Sequence, residues 1–260
     1  MILTIDVGNT NIVLGCFDGD ELKFVSRMKT DRDKMRDEYA VAIKALLDYY
    51  NCPADHIDGV ILSTVVPPLL LTLKAALQRL TGCRVLTVGP GTKTGLDIRT
   101  DDPSALGADL VCGAVGAIGR HPLPCVVIDL GTATKFSVLD EKGVFLGCTI
   151  LPGVMISLDA LSRQTAQLPH IELDHMDHVV CTNTLECMRA GILYGTGSMI
   201  DGILAQIEAE LGHSVTPVIT GGLAKRFLAY CKRELVYDEY LLLYGLKAIY
   251  DKNAKRPKEA

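Results

Sequence analysis

The sequence predicts an α/β protein built of two similar halves facing a shared cleft, and three observations carry that prediction. Residues 5–14, IDVGNTNIVL, are echoed by residues 128–137, IDLGTATKFS, so that Ile-Asp-apolar-Gly-x-x recurs. Each copy follows an apolar run (ILTI; CVVI) and continues into a β-rich segment with a glycine turn, VLGCFDGDELKF and VLDEKGVFLG. Around the copies, helical periodicity alternates with short apolar runs. A duplicated unit within one chain implies two similar domains. The boundary falls between residues 117 and 118, giving 1–117 and 118–260, with the last helix able to pack back on the first domain.

The elements follow in order. Residues 37–50, DEYAVAIKALLDYY, place apolar residues at helical spacing. GVILSTVVP, 59–67, is a strand ending at Pro67-Pro68. Those prolines open the helix LLLTLKAALQRL, because the first turn of a helix has no use for their missing N–H. RVLTVGPG, 84–91, is a strand and turn, and residues 104–119 read as a helix entered through Ser104. Residues 182–211 read as one or two helices entered through Thr182 or Asn183. VTPVITGGLAKRF, 215–227, is a short β-run, a Gly221-Gly222 pair and a helical pattern.

Bulk composition narrows the classes. The 260 residues are 48% hydrophobic and 22% charged, as in ordinary globular proteins. A net charge of −5 argues against a general nucleic-acid binder, and the C-terminal KNAKRPKEA reads as a solvated tail. The nine cysteines are odd in number and form no C-x-x-C pair, which disfavours zinc and redox sites. Cys112 and Cys125 read as small core residues, and the set implies a reducing cytoplasm. MILTIDVGN lacks the basic start of a signal peptide, and Asp6 interrupts its apolar run. No apolar stretch is long enough to span a membrane. YLLLYGLKAIY contains Lys247 and reads as a packed helix.

The repeated aspartate points to chemistry. A carboxylate in a buried strand needs compensation. Gly8 and Gly131 let a ligand approach the backbone, Thr10 and Thr132 offer hydroxyls, and exposed N–H groups in such turns form an anion-binding concavity. Asp6 and Asp129 can hold a cation, or its water shell, beside a phosphate. One Asp-x-Gly segment with a nearby Thr is most simply a turn; two at matched places argue for a phosphate site. Gly221-Gly222 is a plausible seat for a nucleotide's base and sugar, or a tight strand–helix contact.

Two Asp-x-Gly hairpins, DVGNT and DLGTAT, with a late Gly-Gly strand–helix resemble the actin and sugar-kinase superfamily. More narrowly, DVGNTNIVLG, VVPPL, GPGTKTGL, GADL, DLGTAT, ILPGVMIS, QLP, NTLECMRAG and VITGGLA resemble the type III pantothenate kinases through most of the chain. The resemblance implies two duplicated actin-like (ribonuclease H-like) domains flanking an ATP cleft. It implies transfer of the ATP γ-phosphate to the 4′-hydroxyl of pantothenate, the first step of coenzyme A synthesis, by a cytoplasmic homodimer. It implies Mg²⁺ with the ATP and a monovalent cation, K⁺ or NH₄⁺. Asp6, Val7, Gly8, Asn9, Thr10, Asn11, Ile12 and Val13 would then line the ATP phosphates, Asp6 reaching the Mg²⁺. Thr132 would touch phosphate, and Gly221 and Gly222 the adenosine. Asp109 would be the general base, Asp129 the monovalent-cation ligand, and Gly107, Ala108, Asp109, Leu110 and Thr184 the substrate contacts. Read by itself, Asp109 is a carboxylate in a helix's first turn, favoured by the dipole.

The sequence departs from that family at several places. Leu110 stands where the family usually has Arg, and Thr100 where it usually has Tyr. Cys148 replaces a glycine, Arg189-Ala190 replaces Gln-Ser, and Lys135 replaces a common Thr. Losing an arginine fork should weaken carboxylate recognition. Arg189, about a helical turn from Thr184, is a candidate replacement; a solvated or interface arginine is the simpler reading. The rival functional reading is an inactive or altered paralogue, acting as an ATP-binding regulatory protein or as a kinase for another small alcohol. His170, His175 and His178 in LPHIELDHMDHVV read as a polar loop more readily than a metal site. Lys93 reads as a surface-loop lysine more readily than as a phosphate contact, Asp101 and Asp102 read as turn and helix-entry residues, and Arg163 is a candidate contact to substrate or to a partner subunit.

Overall fold

The computed structural model describes residues 1–165 and 168–254; the basic tail from residue 255 onward and Gln167 of the QLP motif lie outside them. The elements are β1 (Ile2–Val7), β2 (Asn11–Asp18), β3 (Glu21–Lys29), α1 (Arg36–Tyr49), β4 (Gly59–Thr64), α2 (Pro67–Thr81), β5 (Val85–Thr87), α3 (Ala108–Arg120), β6 (Cys125–Leu130), β7 (Ala133–Leu139), β8 (Phe145–Pro152), α4 (Val154–Gln164), α5 (Thr184–Leu211), β9 (Thr216–Thr220), α6 (Ala224–Phe227), β10 (Val236–Tyr237) and α7 (Leu241–Asn253).

They fold as two compact units. Of the described residues, the first comprises 1–97, 101–120 and 240–254, and the second 98–100, 121–165 and 168–239. Each has a five-stranded sheet, ordered β3-β2-β1-β4-β5 in one and β10-β9-β6-β7-β8 in the other. Read outward from β1 and β6 the two orders match. In each, the inner strand pairs antiparallel with the next strand in sequence and parallel with a later one. The duplication in sequence is therefore a duplication of topology.

In the first unit, Ile5, Val7, Ile12 and Leu14 of the sheet are buried with Tyr39, Ile43 and Leu47 of α1 and Leu69, Leu73 and Leu77 of α2. This i, i+4 spacing is the apolar stripe that makes each helix lie on the sheet. α3 and α7 pack against each other, and α7 lies on β1 and β4. Leu243 of α7 fills the space that the missing side chain of Gly15 leaves on β2. In the second unit, Val126, Ile128, Leu130, Phe136 and Ile219 of the sheet pack with Leu158 of α4 and Leu193, Ile200 and Leu204 of α5.

Local chemistry set some boundaries away from the sequence reading. Ser104 lies in a single 3₁₀ turn at Pro103–Ala105, where Asp102 accepts from its amide (2.9 Å) and hydroxyl (2.6 Å). The chain extends again at Leu106, and the helix starts only at Ala108. β4 stops at Thr64, and Pro67 is the first residue of α2. Residues 184–211 form one helix, whose cap is Asn183: its Oδ1 accepts from the Glu186 amide at 3.0 Å. No described helix is long and apolar enough to cross a membrane.

Candidate active site

The first hairpin puts Asp6 on β1 opposite Val13 of β2 and Ser63 of β4. The turn is closed by the Gly8 amide donating to Asn11 O at 2.9 Å. A Cβ at Gly8 would lie 3.2 Å from that same oxygen. The Gly8 amide is thus used by the turn, not presented outward as the sequence suggested. β3's end braces the turn: the Thr30 hydroxyl donates to Gly8 O at 2.7 Å and its amide to Thr10 O at 2.9 Å. Asn9 accepts from Arg32 at 3.0 Å. Asn9, Thr10 and Asn11 remain exposed, Val7 and Ile12 are buried beneath them, and Val13 is half-buried. The result is a fixed turn with an accessible polar rim.

Asp109 stands in the first turn of α3. Its Oδ1 accepts from the Leu110 amide at 2.9 Å, a charge-assisted bond of the kind helix N-termini favour. A Cβ at Gly107 would come within 2.6 Å of that Oδ1. Glycine at 107 therefore lets the carboxylate fold back over the helix start while the Gly107 carbonyl accepts from Val111 at 3.1 Å. Leu110, a predicted substrate contact, is buried. One turn on, Cys112 is also buried, and its thiol is pushed up by burial first, with the charges of Asp6 and Asp109 adding. Both carboxylates thus act on one point in the first unit.

The second hairpin places Asp129 on β6 opposite Lys135 of β7 and Thr220 of β9. Lys135 Nζ lies 2.7 Å from Asp129 Oδ2. The Gly131 amide donates to Ala133 O at 3.2 Å, and Thr132 is exposed at the tip. Gly153, of the ILPG motif, sits against the second turn: a Cβ there would lie 2.1 Å from Thr132 O. Gly221 has φ +103°, and a Cβ on it would meet Leu130 O at 2.6 Å and Asp129 Oδ1 at 2.8 Å. The Gly-Gly turn after β9 is thereby pressed against the end of β6, with Gly222 exposed. The close approach of Gly153 was missed in the sequence, and Gly221 was singled out there without its partner on β6, because both approaches join segments distant along the chain.

The acceptor-side candidates lie on both units. Thr100 belongs to the second unit, and its buried hydroxyl has no hydrogen-bond partner among the described residues. Thr184 opens α5 and lines a depression of about 670 Å³ with Leu161, Asn183, Cys187, Met188 and Ile192. Arg189 is engaged locally: its Nε donates to Glu172 O at 2.9 Å and its guanidinium lies 3.0 Å from Asp174. The three histidines go to separate partners, His175 to Asp177 and Tyr230, and His170 to Asp159 at 3.9 Å. His178 has ligand atoms within 4.8 Å of those of Cys181 and Glu186. All nine cysteines are free.

Two copies of one sheet order, each with an Asp-x-Gly hairpin on its inner strand, define the duplicated actin-like class of fold. In agreement, an archaeal actin homolog superposes with a TM-score of 0.50 at 15% identity, covering 96% of this chain and 99% of the other. The model of the type III pantothenate kinase family matches residues 2–206. A type III pantothenate kinase of an Exiguobacterium species is 44% identical, over 98% of this chain and 100% of that one. One from a Geobacillus species is 41% identical, over 98% and 99%. The chain belongs to the type III pantothenate kinase family.

Proposed function

We propose that this protein transfers the γ-phosphate of ATP to the 4′-hydroxyl of pantothenate, the first step of coenzyme A synthesis. Family membership along nearly the full chain is the observation that carries this reading. The exposed rim Asn9–Asn11, with Asp6, Val7, Gly8, Ile12 and Val13 around it, receives the phosphates, and Thr132 at the second turn takes another phosphate oxygen. Gly221 and Gly222 admit the adenosine. Asp6 is the hard oxygen donor suited to the nucleotide's divalent ion, directly or through water. Such an ion, when bound, screens the negative charge gathering on the phosphates.

Asp109 accepts the proton that the alcohol loses as it attacks phosphorus. Its position supports the role: the Leu110 amide holds Oδ1, which fixes the carboxylate's direction at the start of α3. Gly107, Ala108, Leu110, Thr100 and Thr184 form the surroundings of pantothenate, and the unsatisfied Thr100 hydroxyl suits a polar ligand. Arg189 contributes by fixing the 172–174 segment. A homodimer accompanies this reading, supported by exposed Ile150, Met155, Ile156, Val179, Val180 and Leu185 on the second unit, as does a cytoplasmic location.

The test is ADP release by purified protein with ATP and Mg²⁺, with and without pantothenate. Pantothenate-dependent turnover that is lost in Asp109→Asn is expected. ATP binding without any pantothenate dependence would overturn the reading in favour of a regulatory paralogue or another alcohol.

A further inference from the structure

Lys135 and Asp129 form a cross-strand ion pair in the second hairpin. Asp6 faces Val13 across β1 and β2, whereas Asp129 faces Lys135 across β6 and β7. The Lys135 ammonium lies 2.7 Å from Asp129 Oδ2, and the two side chains are only 14% and 17% exposed. The other carboxylate oxygen lies beside the glycine turns: a Cβ on Gly221 would come within 2.8 Å of Oδ1, and one on Gly131 within 3.4 Å. A largely buried carboxylate with a charged donor on one oxygen has its charge already matched.

The resemblance implied a monovalent cation at Asp129, and these residues do not fit one. A K⁺ ion needs oxygen atoms in place of its water shell. Here an ammonium already holds the carboxylate, and a second positive charge beside it would be repelled. We propose that Lys135 is a built-in replacement for that cation, so that this protein works without K⁺ or NH₄⁺. The charge is the same in either arrangement: one carboxylate and one unit of positive charge. Lysine is suited to the exchange, since its head is a compact ammonium with three N–H donors on a flexible stem. Tethered to β7, it needs no recruitment from solution. The proposal rests on the phosphoryl-transfer reading above.

The experiment compares KCl with tetramethylammonium chloride at about 0.1 M, equal ionic strength throughout. Two readouts are taken: the initial rate of pantothenate-dependent ADP release, and the melting temperature with Mg²⁺ and a non-hydrolysable ATP analogue. Wild-type protein is expected to give the same rate within about twofold, and the same melting temperature, in the two salts. Lys135→Thr is expected to lose about tenfold or more in tetramethylammonium and to regain it with K⁺ or NH₄⁺, with a K⁺-specific rise in melting temperature. Lys135→Arg, which keeps the charge, should stay indifferent to K⁺. A wild-type rate or melting temperature that depends on K⁺ overturns the proposal, as does a folded Lys135→Thr protein indifferent to K⁺. The wild-type comparison decides the matter even if the threonine variant does not fold. Absence of pantothenate-dependent turnover in every salt would instead strike the kinase reading, while the melting measurement still reports on Lys135.

Discussion

Gly116 on α3 and Gly245 on α7 meet backbone to backbone. A Cβ at Gly245 would lie 1.9 Å from Cys112 O, and one at Gly116 would lie 2.3 Å from Leu241 O. Nothing larger than hydrogen fits at this crossing. The contact matters because α3 carries Asp109 at its first turn. Gly245→Ala is expected to destabilise the protein by roughly 3 kcal/mol, as overpacking against rigid backbone does. That should lower the melting temperature by roughly 10 °C; a change within about 2 °C would show that the helices can separate cheaply.

Asp109→Asn keeps the shape and removes the proposed base. The expected loss in kcat is about 10²- to 10⁴-fold, with little change in the KM for ATP. Steady-state kinetics with both substrates varied would check it, and an unchanged kcat would assign proton removal elsewhere.

Gly153→Ala tests whether the ILPG glycine serves the proposed phosphate turn at Thr132. The new methyl would press on Thr132 O, 2.1 Å from an ideal Cβ. The turn must shift, so the KM for ATP should rise about tenfold or more, beyond any change for pantothenate. Equal effects on both substrates would point to general loosening of the second unit.

Arg189→Ala should free the loop that the guanidinium ties at Glu172 O and Asp174. Faster hydrogen exchange at residues 172–176 is the expected result, with global stability changed by about 1 kcal/mol or less because Asp174 is exposed. Lysine should restore little, lacking the fork that bridges two partners. Unchanged exchange would mean that the loop is held by other contacts.

Burial pushes the Cys125 and Cys231 thiols up to about 12. Both should resist alkylation near pH 8, while exposed Cys148 and Cys187 react. The sign for stability follows from linkage. The folded state keeps Cys125 protonated, while the unfolded chain releases its proton from the ordinary value of 9.0 upward. The thiol's contribution is whole below that value and is lost as pH rises towards about 12. At about pH 10 the loss is about 1 kcal/mol. A Cys125→Ala variant should show a shallower fall in urea midpoint between about pH 8 and pH 10; an identical slope would mean that Cys125 does not ionise on unfolding.

Sequence alone determined the duplication, the α/β class and the family, because these are written in local patterns: an Asp-x-Gly turn between apolar strands, and helical stripes between them. It also marked Asp6, Asp109 and Asp129 as the carboxylates to explain. It misjudged the start of α3, since Asp102 captures Ser104 in a turn that competes with the helix. Only the tertiary structure decided what each glycine and departure is for. Gly107 yields to the Asp109 carboxylate, Gly153 to the Thr132 carbonyl, Gly221 to the end of β6 and Gly245 to Cys112. Arg189 meets the 172–174 segment, and Lys135 meets Asp129 across the ladder. The physical reason is common to all of them. A close approach depends on strand register and on helix crossing, and these are fixed by the packing of segments far apart in the chain.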